Sequence, residues 1–264
     1  MCHFIFITGK EERDIMYRFF VPSQNVAEDG VRITGDDVNH IKNVLRMSAG
    51  EKVVVSSGQG VDYYCIIDYI RDAEIGLCIE EEKPAVTELG TEITLFQALP
   101  KRDKMELIIQ KAVELGASRI VPVQTRRCVV HLDGPKAEKR LVRWRSIAEA
   151  AAKQSGRGMI PEITGVMSFD GALELAGGLD RVLIPYELCE GMAESFETIQ
   201  KAILSGSIGV FIGPEGGFER GEVERAMALG AAPVSLGKRI LRTETAGMAV
   251  LSILMFMIEG RKEG

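Results

Sequence analysis

The chain is poor in the residues that hold metals and disulfides. Its five cysteines (Cys2, Cys65, Cys78, Cys128 and Cys189) are scattered, odd in number and never spaced C-x-x-C. That argues against a disulfide framework or a thiolate metal site, and for a reducing, cytoplasmic compartment. Its three histidines (His3, His40 and His131) stand far apart, none in H-x-x-x-H or beside carboxylates of ligand spacing, so a metal centre is not expected. No G-x-S-x-G and no cysteine in an activating context offers a nucleophile. The longest nearly uncharged apolar run, 246–258, is short for a bilayer span and reads as a buried helix. The apolar start at 2–7 lacks a positive leader and runs into Lys10, Glu11, Glu12 and Arg13, a poor signal peptide. What remains is ordinary for a globular protein of one or two domains: 264 residues, 46% apolar and 27% charged.

The net charge of −6 looks wrong for a partner of nucleic acid until it is located. Residues 101–157 hold fourteen Lys and Arg against six Asp and Glu, a local +8 that leaves −14 for the rest. A basic segment in an acidic chain is what a polyanion-facing surface looks like; the alternative is a solvated face.

A polar linker around 80–92 divides the chain. Before it, β-type runs at 17–21, 31–34, 52–56, 63–70 and 75–80, punctuated by Gly50, Gly58 and Gly60, suggest a small barrel or sandwich, with one helix at 36–47. After it, strands (93–99, 118–124, 181–185, 208–213) alternate with helices (103–115, 136–154, 193–204, 220–229, 247–258), which implies α/β architecture with a parallel sheet covered on both faces.

Two glycine loops carry the sharpest signal. The apolar strand 208–212 runs into Gly213-Pro214-Glu215-Gly216-Gly217-Phe218, where glycines let a ligand approach the backbone closely. It is neither G-x-G-x-x-G nor G-x-x-x-x-G-K-[ST], so dinucleotide and P-loop readings lose their support. The second loop, Ser235-Leu236-Gly237-Lys238-Arg239-Ile240-Leu241-Arg242-Thr243-Glu244-Thr245-Ala246, leads into the apolar last helix. Ligands sit at the carboxyl ends of such strands, so the two loops together suit one pocket. The bland alternatives are an ordinary strand-to-helix turn and a helix cap by Thr243 beside solvated arginines.

These two strings resemble the SPOUT-class RNA methyltransferases, and most nearly the ribosomal RNA small subunit methyltransferase E family. Further matches are Arg18-Phe19-Phe20-Val21, His40 with Val44-Leu45-Arg46, Ala98-Leu99-Pro100-Lys101 with Asp103-Lys104-Met105-Glu106, Glu114-Leu115-Gly116, and Gln154-Ser155-Gly156-Arg157. The resemblance implies a PUA-like RNA-binding β-barrel at 16–84 and a parallel-sheet SPOUT domain with a trefoil knot at 91–264. It implies a cytoplasmic homodimer, without metal or membrane, that uses S-adenosyl-L-methionine to methylate nitrogen 3 of a uridine in 16S rRNA or the small ribosomal subunit. Siblings of the same fold methylate ribose 2′-oxygens, and a non-catalytic ribosome assembly factor is the reading from another class. Residues 1–15 precede the family's usual start at Met16, Arg102 stands where glycine is common, and Cys128 where serine is usual.

The resemblance places the donor at Ile212, Gly213, Pro214, Gly216, Gly217, Leu236, Gly237, Ile240, Leu241, Arg242 and Thr245. Methylating a uracil nitrogen demands stabilisation of an anion, for which Arg242 or Arg157 are the candidates. Glu215 and Glu244 are candidates for proton removal or loop bracing, bracing being the simpler role. Arg18, His40, Arg46, Lys101, Arg126, Arg127, Arg140 and Arg143 are the candidate RNA contacts.

Overall fold

Glycine-punctuated β runs come first and strand–helix alternation follows, and in the computed structural model each pattern closes its own sheet. The structure describes residues 16–28, 30–186 and 191–262; the expected extension at 1–15, with Cys2 and His3, lies outside them, as does Cys189. The chain divides into two units, 1–88 with 152–160, and 89–151 with 161–264. Segment 152–160, expected with the second domain, belongs to the first unit.

In the first unit, β1 (Tyr17–Phe20), β2 (Gly30–Thr34), β3 (Lys52–Ser56), β4 (Val61–Ile70) and β5 (Glu74–Pro84) form one sheet in the order β1-β3-β4-β5-β2. Only the β1–β3 pair is parallel. Every second residue faces the core, as Val53 and Val55, Cys65 and Ile67, Ile75 and Leu77, and Val31 and Ile33 do. Burial, with smaller effects from Cys78 and Glu80, pushes the Cys65 thiol up to about 12, so it packs as an inert apolar side chain. The expected helix at 36–47 begins as α1 (Asp36–Asn39) and widens into a π-helical turn, His40–Leu45, which Arg46 ends at φ 54°. Segment 152–160 is tied in by Gly60 N–H donating to the Gly158 carbonyl (2.9 Å) and Ile160 N–H to that of Gly58 (3.0 Å).

The second unit is a seven-stranded, wholly parallel sheet of β6 (Glu92–Ala98), β7 (Arg119–Gln124), β8 (Glu162–Ile163), β9 (Met167–Ser168), β10 (Arg181–Pro185), β11 (Ser207–Ile212) and β12 (Ala232–Val234). Its order is β12-β10-β11-β6-β7, with β8 and β9 both on β7. The helices are α2 (Lys104–Glu114), α3 (Gly134–Ser155), α4 (Phe169–Ala176), α5 (Met192–Ala202), α6 (Arg220–Ala228) and α7 (Thr243–Lys262). The sequence reading contains no helix at 169–176. Its signal was there: Ser168 caps by accepting the Gly171 N–H (3.1 Å), and Phe169, Ala172, Leu173 and Ala176 recur on one buried face.

Strands β6 and β11 lie side by side although most of the unit separates them in sequence, which creates a switch point at their carboxyl ends. Phe96 and Phe211 stack there with centroids 4.3 Å apart, Phe169 meets Phe211 edge-on at 5.8 Å, and Phe218 closes the cluster. Such pairs contribute about 0.5–1.5 kcal/mol each beyond area burial. Gly209 makes room for this stack, since a Cβ there would fall 3.1 Å from the Phe96 ring and 2.9 Å from Leu179. The cluster anchors Phe218, and with it the end of the first glycine loop, to the core.

Helix α7 starts four residues earlier than the apolar pattern suggests, so Thr243 to Ala246 form its first turn. Its length and composition would allow it to cross a membrane, yet Val250, Leu251, Leu254 and Ile258 bury one face, and α2 and β11 pack against the helix. The opposite face exposes Ile253 and, at 76%, Phe256.

Candidate functional site

The two glycine loops meet. A cavity of about 240 Å³ opens where β10 and β11 end, walled by Pro185 and Tyr186, by the loop from Ile212 to Phe218, and by Ile240, Leu241, Arg242, Thr243 and Ala246. Of the expected donor residues, Ile212, Gly213, Pro214, Gly217, Ile240, Leu241 and Arg242 line it, and Glu215 joins them. Gly216, Leu236 and Gly237 on the same loops, and Thr245 in the first turn of α7, do not line the cavity. Phe218, at the end of the first loop, also walls it, and Pro185 and Tyr186 are wall residues that the sequence left unmarked; their signal was the end of the buried strand β10.

Gly217 has φ 66°, the left-handed region that side chains avoid, and its N–H closes a turn on the Pro214 carbonyl (2.9 Å). A polar chain then joins the loops. The Gln97 amide donates to Thr243 Oγ1 (2.9 Å), whose hydroxyl donates to the Gly213 carbonyl (2.6 Å). Arg127 donates to the Gly216 carbonyl (2.9 Å), and the buried Glu222 accepts from the Arg126 and Glu219 N–H groups (2.9 and 2.8 Å). Ser195 holds the start of the second loop by accepting the Ser235 N–H (2.8 Å).

Glu215 and Glu244 both face Lys104, each at 3.1 Å. Burial works against ionisation of Glu215, but its own N–H, the Lys104 ammonium and the Lys101 N–H outweigh it and hold the carboxyl below the usual range. The two carboxylates in turn raise the Lys104 ammonium above its ordinary value. Arg242 differs: its side chain is exposed on the cavity rim and makes no ion pair among the described residues.

Arg157 is 3% exposed and its guanidinium pairs with Glu88 inside the first unit. Arg18 is likewise engaged by Asp62, within that unit's core, so neither guanidinium is presented at a surface. Arg46 is exposed and His40 half-buried. In the second unit Lys101, Arg126 and Arg127 are exposed, and Arg140 and Arg143 line a groove of about 600 Å³ with Lys136, Lys139 and Leu132. Asp103 and Glu106 line it too, Asp103 accepting from Arg140 (3.3 Å) and Glu106 from Arg143 (2.7 Å). Among the described residues no group of three or more His, Cys, Asp or Glu is placed to hold a metal ion.

Arg102 sits at φ 59°, the left-handed conformation in which glycine is at home. Relief of about 1–2 kcal/mol in Arg102→Gly is offset by about 0.4–1 kcal/mol of added freedom in the unfolded chain. Calorimetry should therefore record a Tm about 1–4 °C higher; a lower Tm would contradict this account of the loop.

Residues 87–255 match a family model described as an RNA methyltransferase domain, and residues 33–74 one described as an RNA methyltransferase PUA domain. A Bacillus subtilis (strain 168) protein named ribosomal RNA small subunit methyltransferase E is 36% identical over 250 residues, covering 92% of this chain and 98% of that protein. The Mycobacterium tuberculosis (strain CDC 1551 / Oshkosh) protein of the same name is 32% identical over 224 residues, 83% of each. The crystal structure of a ribosomal RNA small subunit methyltransferase E from Neisseria gonorrhoeae bound to S-adenosyl methionine has a TM-score of 0.73 at 33% identity, covering 92% of this chain and 98% of that one. A PUA-type sheet, a parallel α/β sheet with paired glycine loops, and near-complete coverage by relatives of one name place this chain in the ribosomal RNA small subunit methyltransferase E family.

Proposed function

We propose that this protein transfers a methyl group from S-adenosyl-L-methionine to nitrogen 3 of a uridine in 16S rRNA. The observation that carries the reading is Arg242, exposed and unpaired among the described residues, on the rim of a glycine-walled pocket in a chain of this family. The donor suits the residues present. Gly213 and Gly217 leave the backbone open on one wall, where a Cβ at 213 would press on Gly217 at 3.3 Å. Ile212, Phe218 and Leu241 offer apolar contacts, and Glu215 a carboxylate for a cationic ligand. When bound, the donor supplies an electrophilic methyl group on a sulfonium.

Uracil nitrogen 3 is a weak nucleophile until its proton passes to solvent water, whereupon negative charge spreads onto the two flanking carbonyl oxygens. Arg242 donates to those oxygens as they gain charge, in the manner of an oxyanion hole. Glu215 and Glu244, held by Lys104, brace the loops. Positioning of base against methyl contributes a large share of the acceleration. Because nitrogen 3 lies on the pairing edge, the uridine enters unpaired and splayed from its stack. Nucleoside analysis of 16S rRNA with and without the gene tests the reading.

The cations Arg46, Lys101, Arg126, Arg127, Arg140 and Arg143, together with His40, hold the surrounding RNA. Arg140 sits in a loose, exposed pair with Asp103 (3.3 Å) that a phosphate can replace, and Arg143, paired at two points with the half-buried Glu106, keeps its outer side open to one. RNA affinity should therefore fall steeply with salt, and Arg140→Ala or Arg143→Ala should each reduce the log–log slope by about one ion in filter-binding titrations. Salt-independent affinity would make the basic stretch a solvated face.

The donor loops form the trefoil knot of this proposal, and the protein works in the cytoplasm as a twofold homodimer. The exposed Ile253 and Phe256 on α7 supply the self-complementary apolar face.

A further inference from the structure

One loop and two helix starts of the second unit meet at one ammonium group. Lys104, the first residue of α2, places Nζ 3.1 Å from Glu215 Oε1 and 3.1 Å from Glu244 Oε2. Glu215 belongs to the first glycine loop, and Glu244 to the first turn of α7, directly after the second. The backbone contributes as well, since both Glu215 oxygens accept the Lys101 N–H (3.1 and 3.3 Å). The three side chains are only 30, 25 and 15% exposed, so this cluster is partly withdrawn from solvent. Two carboxylates brought this close repel each other unless a cation lies between them. Without Lys104 the charged residues of the two loops would push apart, leaving among the described residues the tie from Gln97 through Thr243 to Gly213. The cluster also carries one net negative charge, and Glu215 lines the cavity.

We propose that Lys104 is a positioning residue for the methyl donor: it clips the two donor loops together, and the Lys104–Glu215–Glu244 cluster presents a single negative charge that favours a cationic sulfonium over its neutral thioether product. This rests on the donor assignment made under Proposed function. The two parts act differently. Loss of the clip misplaces the walls and weakens any ligand that spans both loops. A change in the cluster's charge discriminates between S-adenosylmethionine, which carries the sulfonium charge, and S-adenosylhomocysteine, which lacks it.

Isothermal calorimetry of the full-length protein with each ligand separates these effects. Lys104→Met should weaken both ligands by about tenfold or more, raise the donor KM, and leave kcat at saturating donor within a few-fold. Lys104→Arg, which keeps the cation and can reach both carboxylates, should recover most of the affinity. Glu244→Gln keeps Lys104 on Glu215 and removes one negative charge. It should lower the preference for S-adenosylmethionine over S-adenosylhomocysteine by about tenfold, the scale of one unit charge acting in a protein-surface dielectric. A purely structural role would leave that preference unchanged. Wild-type affinity for both ligands in Lys104→Met, or an unaltered preference in Glu244→Gln, would overturn the proposal while the donor assignment stands. Should the wild-type protein itself bind neither ligand, the donor assignment fails and the proposal with it. If Lys104→Met does not fold, as judged by circular dichroism, the Arg and Gln variants decide the matter.

Discussion

Arg242→Ala should lower kcat for rRNA methylation by about 10²- to 10³-fold, the loss typical of removing one oxyanion donor, while the donor Kd changes by less than about threefold. Arg242 lies on the cavity rim between the second glycine loop and α7, and its guanidinium is not tied up by a carboxylate among the described residues. A charge free of partners in the resting protein is available to the charge that develops on the uracil oxygens, and an interaction made mainly in the transition state appears in kcat rather than in ground-state binding. Raising the pH should partly restore the variant, because hydroxide then removes the proton from nitrogen 3 without help. Arg157→Ala, in contrast, removes the buried cation that neutralises Glu88, leaving that carboxylate to the Gly158 and Met159 N–H groups, and should act through folding. A rate unchanged in Arg242→Ala would remove Arg242 from the chemistry, and a lost donor affinity would make it a wall of the pocket.

Gly217→Val should abolish donor binding while leaving the protein folded. At a donor concentration about one hundred times Kd, the wild-type protein gains roughly 2.7 kcal/mol, a rise of about 5–10 °C in Tm for a domain of this size. Valine is disfavoured at φ 66° by about 1–2 kcal/mol and would force the turn on Pro214 to open. The loop would then lose the shape that brings Gly213 and Gly217 together, but the contacts among Phe96, Phe169 and Phe211 beneath it do not depend on that turn. Differential scanning calorimetry should therefore show a slightly lower Tm without donor and no shift with it. A donor-induced shift equal to that of the wild-type protein would move the donor away from this loop.

Regular patterning made much of the architecture legible. Period-two burial marks β2, where Val31 and Ile33 are buried and Arg32 and Thr34 exposed, and the strand–helix alternation from β6 onward specifies a parallel sheet. Short pieces escaped. Strands β8, β9 and β12 have two or three residues each, too few for a period, and α4 is a helix of eight. Charge was the less reliable guide. Arg18 and Arg157 are basic residues in matching motifs, yet each guanidinium is spent on a carboxylate, Asp62 or Glu88, that lies far off in sequence. For the same reason Lys104 stood inside a quoted motif with no visible role, since its partners Glu215 and Glu244 come from other loops. Glycine patterns fared better because their meaning is local. The positive φ of Gly217 and the widened wall at Gly213 follow from the residue type itself, and the position where glycine is common holds Arg102 in the left-handed conformation expected of glycine.

The central claim is a methyl group on the base of one uridine in small-subunit rRNA. It is tested most directly by mass spectrometry of nucleosides and mapped fragments of 16S rRNA from cells with the gene, without it, and with it restored as wild type or as Arg242→Ala. The account predicts that N3-methyluridine disappears from a single site on deletion, returns with the wild-type gene, and stays absent or nearly so with Arg242→Ala. Loss of a ribose 2′-O-methyl group instead would place the protein among the sibling enzymes of the same fold. An unchanged nucleoside profile, with donor binding intact, would contradict the account and leave a ribosome assembly factor whose pocket is regulatory.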